Sequence, residues 1–152
     1  MQTLLDKTKL EQLHETDEME WIYENMRLIE EGRIEEVDWK NIHLELEIMA
    51  RTEKRSVISR LSVLLTHLLK WIFQKGKRTN SWIATINVQR NELSDIFDDS
   101  KVLLNHGKEN FEKIYQRSRN NASTETGLPL KNFPEEPPFT FEKALDKDYF
   151  PD

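Results

Sequence analysis

Apolar residues recur at helical spacing over most of the chain, and no run alternates apolar with polar positions as a half-buried strand would. The first clear stripe, Met19, Ile22, Met26 and Ile29, predicts a helix from about Asp17 to Glu31. Asp17 followed by Glu20 forms a capping box, and Gly32 suits the position just past the helix end. A second start is marked at Asp38, where Val37 and Ile42 occupy the two positions of a hydrophobic staple. The helical pattern then continues to about Lys75, followed by Gly76, as one helix about 55 Å long or as two with a break near residues 51–56. Ser81 is placed to cap a third helix, Trp82 to Phe97, and Ser100 to open a short piece ended by Gly107. A further helix is expected over about Lys108 to Thr126, closed by the Gly127-Leu128-Pro129 stop. Four of the five prolines fall within Pro129 to Pro138, so residues 128–152 read as an extended, proline-rich tail with Phe133, Phe139, Phe141, Tyr149 and Phe150 as anchors and a short helix near Phe141 to Leu145. The fold class is all-α: a helical bundle organised around the long helix 38–75. Residues 1–16 are expected to be a loosely ordered N-terminal segment ahead of one helical domain, 17–152.

On the long helix Val57, Leu61, Leu64, Leu65, Leu68, Trp71 and Ile72 share an arc, and extending it backwards adds Ile42, Leu46, Met49 and Ala50. Glu53 falls inside that arc. A buried carboxylate needs a partner, because desolvating it alone costs several kcal/mol. No base stands at i+3 or i+4 from Glu53. The expected partner is Arg90, at the edge of the third helix's apolar arc, with Gln89 and His67 nearby. Glu53, His67, Gln89 and Arg90 are thus read as a buried polar network that fixes helix register. The sharper alternative is an enzyme pocket around Glu53, His67 and Arg90.

Charge changes this picture in the middle of the chain. The 152 residues carry a net charge of −6, yet residues 51–90 hold nine Lys or Arg and one acid. Local balances are −9 before this block, +8 within it and −5 after it. Arg51, Lys54, Arg55, Lys70, Lys75, Lys77 and Arg78 are the candidate phosphate contacts of a nucleic-acid surface, with Trp71 and Trp82 flanking the second cluster. The competing reading is that both tryptophans sit in the core and the block answers the acidic N-terminal region. The sequence pI of about 5.3 is low for a dedicated nucleic-acid binder.

Other chemistry finds little support. Without cysteine there is neither disulfide nor thiolate chemistry. His14, His43, His67 and His106 have no metal-site spacing, and no zinc-protease, dinucleotide, P-loop or nucleophile-elbow motif occurs. No catalytic residue, metal, cofactor or small-molecule ligand is therefore expected. The N-terminus lacks the apolar stretch of a signal peptide, and the run around residues 61–72 is broken by Thr66, His67 and Lys70, short of a membrane span. A cytoplasmic location is expected.

Several stretches carry a resemblance: Met49-Ala-Arg-Thr-Glu-Lys-Arg55, Val63-Leu-Leu-Thr-His-Leu-Leu-Lys-Trp71, Ser81-Trp82, Gln89-Arg90, Glu125-Thr-Gly-Leu-Pro129, Phe133-Pro-Glu-Glu-Pro137 and Asp148-Tyr-Phe-Pro151. Over about residues 17–152 the chain resembles a largely cyanobacterial family of small proteins, the domain of unknown function twenty-nine. Ala50 stands where glycine is common in that family, and Pro137-Pro138 where cysteine-proline is common. The resemblance implies one all-helical domain without assigned activity and supplies no catalytic residues; nucleic-acid binding has been suggested for the family from modelling alone. The expected function is a non-enzymatic interaction module that engages a protein partner or forms a homo-oligomer, with nucleic-acid binding through residues 51–90 as the alternative.

Overall fold

The computed structural model describes residues 2–152, with side chains from Lys7 onward. Seven α-helices are present among the described residues: α1 (Gln2–Thr16), α2 (Glu18–Glu30), α3 (Trp39–Phe73), α4 (Asn80–Asp99), α5 (Lys101–Glu109), α6 (Phe111–Thr126) and α7 (Phe141–Leu145). No strand occurs among the described residues. The all-α class and the single long helix are as the hydrophobic pattern predicts. The chain divides into two compact units, one reaching to Arg51 and one from Thr52 to Asp152. The first boundary drawn from sequence, near Asp17, instead marks only the junction of α1 and α2.

In the first unit α1 forms where a loosely ordered segment was expected, with Leu10 buried. Asp17 separates α1 from α2, and its side chain accepts from the Glu20 amide at 3.1 Å. The other end of α2 closes through Gly32, whose φ of 74° belongs to the left-handed region. There the Arg33 amide donates to Leu28 O at 2.8 Å and the Gly32 amide to Ile29 O at 3.0 Å, satisfying two carbonyls the helix leaves free. Leu10, Trp21, Leu28 and Val37 make a small core, with Leu13, Ile22 and Ile42 against it.

The second unit is built on the rest of α3, where Val57, Leu61, Leu64, Leu65, Leu68 and Leu69 are fully buried. Ile86, Leu93 and Phe97 of α4, and Phe111, Ile114, Tyr115 and Ala122 of α6, pack in the same core. Thr79, rather than Ser81, caps α4, and Ser100 caps α5 as predicted. Gly107 does not end a helix. It is buried inside α5, where an added Cβ would stand 3.2 Å from both Leu61 Cδ1 and Phe97 Cζ. Its role is close packing.

Beyond Gly127 (φ 73°) the chain sends Phe133, Phe139, Phe141 and Ala144 into this core. Proline-rich backbone cannot satisfy its own carbonyls with a ladder, so side chains do it. Tyr115 Oη donates to Pro134 O at 2.6 Å, Arg119 Nε to Phe133 O at 3.0 Å, and Ser123 Oγ to Leu128 O at 2.7 Å. By length and composition alone α3 could cross a membrane, and 44% of its most apolar stretch is buried within the protein.

Candidate interaction surface

The predicted Glu53–Arg90 pair does not form. Glu53 is exposed, because it stands in the uncovered stretch of α3 over residues 46–55, after Ile42 in the first unit's core and before Val57 in the second's, while the apolar periodicity runs on across it. Arg90 is 1% exposed and holds the C-terminal segment. Its Nε donates to Ala144 O and its Nη2 to Tyr149 O, both at 2.8 Å, and the guanidinium lies 5.0 Å from the Phe150 ring centre. Burial lowers its affinity for its proton, and Asp146 opposes that effect. The free carbonyl end of α7 supplies the compensating negative dipole. Nη1 has no partner.

The other members of the expected network are separate. Gln89 accepts from Arg60 Nη1 at 3.3 Å, and His67 Nδ1 lies 2.9 Å from Val63 O of its own helix. Burial depresses the His67 pKa below the usual imidazole value. Arg90 is thus closed off in the core while Glu53 faces solvent.

A buried polar knot does exist, in the first unit. Asp38 is fully buried at the start of α3, where its carboxylate accepts from Trp21 Nε1 at 2.9 Å and Asn41 Nδ2 at 2.7 Å. Asn25 Oδ1 accepts from the Asp38 amide at 2.9 Å, and Asn25 Nδ2 donates to Trp21 O at 2.8 Å. The Trp21 and Asn25 pair at i, i+4 was the available signal. The signal is weak, because an asparagine makes that face of the helix less apolar.

The basic block is partly used within the fold. Arg78 donates to Trp71 O and Pro151 O at 2.9 Å and stacks 4.3 Å from the Trp71 ring centre. Lys70 pairs with Glu125 at 3.3 Å and lies over Trp82. Arg51, Lys54, Arg55, Lys75 and Lys77 are exposed and have no ion-pair partner among the described residues. Lys54 and Lys75 stand some 21 residues apart along the chain, ~30 Å if helical rise is kept throughout. That gap separates the free cations into two clusters. Among the described residues no three His, Cys, Asp or Glu side chains are grouped to hold a metal ion.

What the first unit presents outward is apolar. Because Trp21, Asn25 and Leu28 face its core, Met19, Tyr23 and Met26, at i, i+4 and i+7, point the opposite way. Their exposures are 57%, 63% and 47%. Of the stripe read from sequence as the core side of this helix, Met19, Met26 and Ile29 therefore lie on its outer side, and Ile22 alone packs against the core. On α3, Leu44, Leu46, Ile48, Met49 and Ala50 are exposed too, against the expectation that three of them were core. Ten of the fourteen large apolar side chains exposed among the described residues lie between Met19 and Met49. Apolar side chains scattered singly over a surface are ordinary, but a concentration of this kind marks an interaction surface.

No curated protein and no solved structure matches the chain. The family model for the domain of unknown function DUF29 matches residues 13–150, and the chain belongs to that family.

Proposed function

We propose that the protein is a non-enzymatic interaction module that pairs with a second copy of itself through the outer face of α2. The observation that carries this reading is the exposed Met19–Tyr23–Met26 stripe on the side of α2 opposite its buried face. The stripe is close to palindromic about residues 22 and 23. Two such helices packed antiparallel would place Met19 of one copy level with Met26 of the other, the self-complementarity a two-fold contact requires. Methionine adapts its shape to the facing surface. Apart from Met1, every methionine of the chain is exposed in this unit.

The absence of cysteine makes an introduced thiol unique. Under mild oxidation Tyr23→Cys, close to the two-fold axis, is expected to give a disulfide-linked dimer. Glu30→Cys would sit ~20 Å from its counterpart in that pairing and is expected to stay monomeric. Equal cross-linking of both variants, or of neither, would overturn the arrangement.

Nucleic-acid binding remains the second reading, supported by Arg51, Lys54, Arg55, Lys75 and Lys77, exposed cations without ion-pair partners among the described residues. A gel shift with short DNA or RNA tests it: it predicts a complex at low salt that dissociates as salt rises, and no complex at low salt removes it.

A further inference from the structure

A groove of about 650 Å³ opens in the second unit, lined by Ile58 of α3, His106 of α5, and Asn110, Lys113, Ile114, Arg117, Asn120 and Asn121 around and along α6. Its size is that of a small-ligand site. Lys113 and Arg117, at i and i+4, stand side by side on α6. Both are exposed, and neither has a hydrogen bond or ion pair within the described residues. No carboxylate lines the groove. Lys54 and Arg55, one turn before Ile58 on α3, are equally unpartnered.

The remaining polar groups are amides with capacity left over. Asn110 spends its Nδ2 on His106 O at 2.8 Å, which leaves its Oδ1 open. Asn121 Nδ2 reaches Ser62 Oγ at 3.4 Å, and both ends of the Asn120 amide are free. Ile58, half-buried, gives the site its apolar surface, with Ile114 buried beneath it. Two adjacent cations, an apolar surface and an unspent amide are what a flat, phosphate-bearing heterocycle requires: charge for the phosphate, a dry face for the ring, and a paired donor and acceptor for its edge.

We infer that this groove binds a purine nucleoside monophosphate, with the phosphate between Lys113 and Arg117 and the base edge on Asn120. The site is independent of the apolar face on α2. Neither Lys113 nor Arg117 falls among the phosphate contacts expected from sequence.

Amide chemical-shift titration of the full chain with AMP is the test, with adenosine, inorganic phosphate and a short single-stranded oligonucleotide as comparison ligands. AMP is expected to shift Asn110, Lys113, Arg117 and Asn120 in a saturable way. The double variant Lys113→Gln/Arg117→Gln is expected to bind at least tenfold more weakly while its circular dichroism and melting temperature stay unchanged. Asn120→Ala is expected to weaken AMP and leave the weak response to phosphate alone. Any of three results would overturn the inference: no saturable shift at these residues with millimolar AMP, shifts reproduced in full by inorganic phosphate, or binding of the oligonucleotide without binding of AMP.

Discussion

Arg90 shows how one residue can hold a segment that has no regular hydrogen-bond ladder of its own. Its two bonds to Ala144 O and Tyr149 O are buried or nearly so, and removing the donor strands both carbonyls. Arg90→Met is therefore expected to cost about 2–4 kcal/mol in urea unfolding and to expose residues 144–152 to proteolysis. Glu53→Gln, at an exposed position, is expected to change stability by less than about 0.5 kcal/mol. A large effect of Glu53→Gln would restore the abandoned ion pair. Tyr115 supplies a pH-dependent counterpart. Burial pushes its phenol up to about 12 from an ordinary value of 10.0. Between those two values the unfolded chain has released a proton that the folded chain keeps, so stability falls as pH rises through that window. Tyr115→Phe should lose about 1 kcal/mol at neutral pH, with its bond to Pro134 O, and should show a shallower decline from pH 10 to 12. Unfolding midpoints for the two proteins at pH 8 and pH 11 would check both statements.

At the scale of elements, Gly107 carries the sharpest prediction. Alanine is the better helix former by up to about 1 kcal/mol, yet its Cβ would press on Leu61 and Phe97 at 3.2 Å, with Phe141 Cε2 behind them at 3.5 Å. All three neighbours belong to the packed core, so overpacking should win. Gly107→Ala is expected to lower stability by about 1 kcal/mol in thermal or urea unfolding, and a stabilised variant would show that α5 can shift. The sequence made most elements legible, because caps and periodicity are local signals. Asp17, Asp38, Ser100 and Gly127 mark the boundaries they were expected to mark, and α7 forms over Phe141–Leu145. Which side of α2 faces inward was not legible. The helix is apolar on two faces, and the buried one is chosen by the pairing of Trp21 and Asn25 with Asp38, a contact made across the turn between helices. The misplaced Glu53 has the same origin. Periodicity reports that a helix has an apolar side, not how far along its length a neighbour covers it. The α6 groove is not legible in the sequence, because its residues converge only through the packing of α3, α5 and α6.

Over the whole molecule, charge and apolar exposure are unevenly shared. The stretch up to Arg51 carries fourteen acids against six bases and most of the exposed large apolar side chains. A contact between two copies of that stretch gains from apolar burial and loses from like-charge repulsion. Salt shortens the reach of the repulsion to about 8 Å at physiological strength and less above it, while leaving apolar burial intact. A homotypic contact should therefore tighten as salt is added, whereas a complex with a basic partner or a nucleic acid would require the opposite. Sedimentation velocity of the full chain between about 0.05 and 0.5 M sodium chloride, alongside the double variant Tyr23→Lys/Met26→Lys, measures this directly. The expected result is a monomer–dimer equilibrium that shifts towards dimer with salt in the natural sequence, and a monomer of unchanged helicity in the variant. A natural sequence that stays monomeric at every salt concentration, or a variant that dimerises equally well, would contradict the proposed role of the α2 face.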